Sequence, residues 1–119
     1  MTVSGARVVT VGYFSARERN HVALMDAADT ELTALGARIV GRIVQRRGVS
    51  AGGAGKMALP HSSRTLLSSG KVRELAEACE ATGADLVVFV AALTEHQQRV
   101  LAEVLGRPAV CLSAVLTAV

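Results

Sequence analysis

Tryptophan is absent, and one tyrosine and two phenylalanines are the only aromatics among 119 residues. Any core must therefore be aliphatic, drawn from the alanine, valine and leucine that dominate the apolar half of the composition. The same scarcity argues against a platform on which unpaired bases would stack, since Tyr13 and Phe14 stand alone and Phe89 lies inside an apolar run. Cysteine is limited to Cys79 and Cys111, far apart and without the paired spacing of a zinc site. They read as buried thiols, and nothing in the pattern asks for a metal or a cofactor. Long apolar runs are missing too. The densest, ADLVVFVAAL at 84–93, is about half of what a membrane-spanning helix needs, so no membrane partner is expected. The N-terminal MTVSGARVVTV lacks an uninterrupted apolar stretch ahead of a cleavage-like site, which predicts a cytoplasmic protein.

The most informative shortage is of acid. From Arg38 to Arg73 the chain carries eight bases and no aspartate or glutamate, while the remainder holds five bases and ten acids. The overall charge of +3 thus conceals a local +8 beside a −5 remainder. Isolated ion-pair patterning would not leave 36 residues without an acid. The polarity predicts an anionic partner met on one side.

Length allows one domain with a real core, spanning residues 1–119. Residues 7–14 are apolar and β-branched, bounded by Gly5 and a polar stretch, and predict a first strand buried on both faces. Met25, Ala28, Leu32 and Leu35 recur at helical spacing, and Gly36 is placed to end that helix. A second strand over about 38–45 sets Ile39, Ile43 and Gln45 on one face and Arg38, Val40, Arg42, Val44 and Arg46 on the other. Such an arginine-bearing face belongs near a sheet edge, or needs its long side chains to reach solvent.

Residues 48–64 contain four glycines, three serines and a proline, with neither strand nor helix period, and predict a mobile loop. Thr65 to Leu67 can add a short strand. Ser68 or Ser69 then caps a helix burying Val72, Leu75, Ala76 and Cys79 and ending near Gly83. LVVFV at 86–90 is a third strand. Thr94 and Gln97 have the spacing of a capping box for a helix that buries Val100, Leu101, Val104 and Leu105 and stops at Gly106. Residues 109–112 form the last strand, and the apolar tail from Ala114 to Val119 either completes a strand or covers a patch on a second copy of the domain, giving a homodimer. This alternation predicts an α/β fold: a mainly parallel open sheet of about four strands with helices on both faces.

Two Gly-Lys pairs invite a phosphate-loop reading, and both fail it. Before Gly55-Lys56 the required first glycine is Ser50, and Met57 follows the lysine. Before Gly70-Lys71 that glycine is Thr65, and Val72 follows. No GTPase or ATPase motif remains. Ser68-Ser69-Gly70-Lys71 at a helix start can still hold an anion on unpaired first-turn amides, although an ordinary capped terminus has the same sequence.

Three segments together, GARIVGRIVQRR, SSGKVRELAEACEATGADLVVF and LTEHQQRVLAEVLGRPAV, resemble the N-terminal domain of the HflX family of ribosome-associated GTPases. They cover about residues 22–112. The resemblance is most specific at Gly41, Gln45, Arg46 and Arg47, at Gly70-Lys71, and at Leu93 with Gln97, Gln98 and Arg99. The chain departs from the family pattern at Val90-Ala91-Ala92 and at Leu112-Ser113. With no GTPase domain in its 119 residues, it is expected to act as a stand-alone module.

The resemblance implies a ribosome-associated factor whose partner is RNA of the large subunit. The anion contacts are then Arg42, Arg46, Arg47, Lys56, Arg64, Lys71 and Arg73, directed at backbone phosphate and sensitive to salt. The alternative is a small-molecule enzyme or binding protein using a pocket at the carboxyl ends of the strands. Its rim would carry Tyr13, Ser15 and Arg17, with His96 as a base and Cys111 or Ser113 as a nucleophile.

Overall fold

The computed structural model describes residues 3–15, 19–47, 69–90 and 92–117. Four strands, β1 (Arg7–Ser15), β2 (Arg38–Arg47), β3 (Leu86–Phe89) and β4 (Ala109–Cys111), alternate with four helices, α1 (His21–Ala34), α2 (Ser69–Thr82), α3 (Glu95–Leu105) and α4 (Leu112–Thr117). The sheet has the order β2-β1-β3-β4, and every adjacent pair is parallel. The predicted fold class holds. The loop expected at 48–64 and the short strand at Thr65 to Leu67 lie outside the described residues.

Parallel strands in the interior need helices on both faces, and the core is accordingly two-sided. Val9, Val11, Val87 and Phe89 face α2 and α3, where they meet Leu75, Cys79, Leu101 and Leu105. On the other face Val8 and Val88 meet Leu32 of α1 and Val115 of α4. Among the described residues the largest fully buried side chains include one aromatic, Phe89, the others being valine, leucine and methionine. The aliphatic core follows directly from the composition.

Local signals end the helices where they were read. At the end of α1 the amide of Gly36 donates to the carbonyl of Thr33 at 2.9 Å, and that of Ala37 to the carbonyl of Leu32 at 3.1 Å. This Schellman pair needs a left-handed residue, and Gly36 supplies it at φ +96°. At the start of α3 the Thr94 hydroxyl accepts from the Gln97 amide while the Gln97 side chain accepts from the Thr94 amide, both at 3.0 Å. Such a box contributes about 1 kcal/mol.

Three expectations fail. In β2, Val8 lies opposite Ile39 but Val9 lies opposite Gly41, so Val40 is an extra residue in the ladder. This bulge breaks the period of two. Ile39 consequently packs on the α1 and α4 side, while Val40 and Ile43 pack on the α2 and α3 side. Ile39 and Ile43 therefore do not share a face, nor do Val40 and Arg42.

The tail as a strand is the second failure. Leu112 opens a helix rather than ending β4, and residues 114–117 complete no strand. Val115 is 1% exposed, covered within its own domain. Val104, expected in the core, is instead exposed on α3.

Candidate functional site

The strand order fixes where a site can form. From β1 the chain moves outward to β2, then crosses back past β1 to β3, so the connections diverge between β1 and β3. Ligands of open parallel sheets bind at the carboxyl ends of the strands beside such a divergence. At this rim β1 and β2 outrun their neighbours. β3 ends opposite Val11, whereas the β1–β2 ladder continues to the pairs Tyr13–Gln45, Phe14–Arg46 and Ser15–Arg47.

The end of β2 and the start of α2, both within the basic stretch, lie at this rim. Arg46 and Arg47 are the last residues of β2. Helix α2 packs against β2 and ends at Thr82, a short link before the amino end of β3. Its first turn, with Gly70 and Lys71, is thereby returned to the carboxyl rim. Arg73 is exposed on the next part of the helix. Lys71 is tethered by an ion pair to Glu74 at 3.1 Å, both partly exposed. Lys56, Arg64 and Arg17 lie outside the described residues.

Arg42 is placed differently. It stands mid-strand opposite Thr10, on the α1 side, and its Nη2 donates to Asp26 Oδ1 at 2.8 Å and to Asp29 Oδ2. The two carboxylates, hydrogen-bonded to the guanidinium with Asp29 the stronger partner, raise the Arg42 pKa further. The acid-free stretch in sequence is thus not an acid-free surface in space. Asp26 and Asp29 lie off the Met25, Ala28 and Leu32 stripe of α1, and nothing read from the sequence pairs them with Arg42. Their spacing of three residues, which puts both on one helix face, was the available signal.

The residues of the pocket alternative are also separated in character. Tyr13 is half-buried and packs on the α2 side of the core. Ser15 ends β1. His96 is exposed in the first turn of α3, and Ser113 is exposed in α4. Cys111 is buried, its Sγ accepting from the Leu93 amide at 3.1 Å and facing the Gln98 amide nitrogen at 3.9 Å. The thiol thus meets Leu93 and Gln98, and Gln98 was not singled out among the pocket residues.

At the opposite, amino end of the sheet, Arg107 pairs with Glu80 at 3.5 Å and acts to lower the pKa of the Cys79 thiol. Burial dominates there and raises the Cys79 pKa. Cys79 is therefore a neutral core thiol rather than a nucleophile.

Fold and rim together define a doubly wound α/β domain with a basic carboxyl edge. Over residues 29–111 the chain matches the family described as GTP-binding GTPase N-terminal, the HflX-type N-terminal domain, and it belongs to that family. No curated protein matches it significantly. Among the described residues no helix is long and apolar enough to cross a membrane.

Proposed function

We propose that this HflX-type domain docks on a large polyanion, RNA of the large ribosomal subunit, through the rim where β2 ends and α2 begins. The observation that supports this reading is that α2 packs against β2 and begins at the same end of the sheet at which β2 ends with Arg46 and Arg47. The two halves of the basic stretch would then act as one surface. Contacts made by lysine and arginine to phosphate position a protein without reading sequence, and they make affinity fall steeply with salt. The family membership supports the same partner class, because the resemblance is to ribosome-associated proteins.

Co-sedimentation of the purified protein with isolated large ribosomal subunits across a salt series tests it. Stoichiometric binding that weakens with salt and disappears in Arg46→Glu/Arg47→Glu/Lys71→Glu is expected. Binding that survives the triple reversal, or no binding at low salt, would overturn the reading. The second outcome would turn attention to ligands of the crevice between β1 and β3.

A further inference from the structure

The charge census around Arg42 differs from that of the rest of the basic strand. One guanidinium faces two carboxylates, a local net charge of −1, so a phosphate approaching the resting cluster is repelled. Yet Arg42 occupies the same row of β2 as Arg46, the two lying opposite Thr10 and Phe14 with Val44 between them, about 13 Å apart along the strand. It is the next cation on that row after Arg46. Both of its bonds are made by Nη2. The Nη1 and Nε edge makes none with the described residues, and the side chain is 35% exposed.

We propose that Asp26 and Asp29 are internal competitors for Arg42, withholding it from the polyanion surface until a backbone phosphate takes their place. This rests on the docking reading above. The two arms differ in how readily they yield. Asp26 is 60% exposed and can turn to water at little cost. Asp29 is 18% exposed, and its Oδ1 is already buried without a partner. Losing Arg42 leaves it a largely buried, uncompensated carboxylate, so release is resisted. A polyanion already held at Arg46, Arg47 and Lys71 presents its next phosphates at high effective concentration, whereas a lone inorganic phosphate does not. The clasp thereby favours extended polyanions over small anions.

The test is fluorescence anisotropy with a short labelled A-form RNA duplex, titrated at several salt concentrations. Relative to the native protein, Asp26→Asn/Asp29→Asn is expected to bind about tenfold more tightly near 0.1 M salt, with a salt slope steeper by about one phosphate. Adding Arg42→Gln should return both quantities to native values. Glu31→Gln/Glu103→Gln, an equal change of net charge at exposed positions, should give a gain of less than about twofold, since distant surface charges are screened. A gain no larger than this control, or one that persists in the absence of Arg42, overturns the clasp while leaving docking intact. Failure of every protein, native included, to bind the duplex at low salt overturns docking and the clasp together. Should the double variant unfold, Asp26→Asn alone keeps the buried arm and must show a smaller gain in the same direction. An Arg42 Nε–H resonance in the native protein that does not move on saturation with the duplex would also overturn the proposal.

Discussion

The amide of Leu93 donates to the sulfur of Cys111 at 3.1 Å, tying the loop after β3 to the end of β4. The thiol is thereby a structural acceptor in a buried place, where the side-chain amide of Gln98 from α3 also approaches it at 3.9 Å. Alkylating reagents require an exposed thiolate. Cys111 should therefore resist iodoacetamide in the native protein and react only on denaturation, as followed by mass spectrometry. Cys111→Ala, which leaves the Leu93 amide without its acceptor and removes a packed sulfur, should cost about 1–3 kcal/mol by urea titration. Rapid native alkylation would restore Cys111 as a nucleophile candidate.

Gly12 sits beneath α1 where β1 leaves the shelter of β3. A Cβ there would stand 2.6 Å from Met25 Sδ and 2.5 Å from Phe14 Cε2. Met25 is completely buried and has nowhere to go, while Phe14 is half-buried, its ring 6.0 Å from that of His21, and can swing outward. Overpacking of this kind costs about 1–3 kcal/mol, offset in part by the roughly 0.5–1 kcal/mol that alanine gains over glycine in a strand. Gly12→Ala should thus lower stability by about 1 kcal/mol, and Gly12→Val by more. Equal urea midpoints for Gly12→Ala and the native chain would mean that β1 and α1 are not pressed together at this point.

How much of this was legible beforehand depends on the range of the interaction responsible. Gly36, Thr94 with Gln97, and Gly106 act within one turn of chain, and each ended or began its helix as read. The apolar runs of β1 and β3 announced parallel burial because both of their faces are covered. Val40 was misread, since a bulge depends on how two strands 30 residues apart come into register, and its own sequence looks like uninterrupted alternation. The tail was misread because SAVLTAV has no decisive period over so few residues. Its helix is held by Val115 against a core that includes Leu32 and Val8. For the site, the basic stretch was visible as composition. Its division into rim residues and a neutralised Arg42 was not, because Asp26 and Asp29 reach it from another element.

The Cys79 thiol gives the fold a measurable dependence on alkaline pH. It is buried in the core, and burial raises its pKa in the native state more than the neighbouring Arg107 lowers it. In the unfolded chain a cysteine ionises near pH 8.5. Below that value both states hold the proton and the group contributes no slope. Above it the unfolded state releases its proton while the native state retains it, so the unfolded state is favoured and stability falls until the native thiol ionises as well. The slope approaches about 1.4 kcal/mol per pH unit for a single group. Stability measured by urea titration from pH 7 to 10 should fall more steeply for the native protein than for Cys79→Ala, which starts lower because it leaves a small cavity. Parallel curves would show that Arg107 compensates the burial fully, and that the thiol ionises in the core as readily as in water.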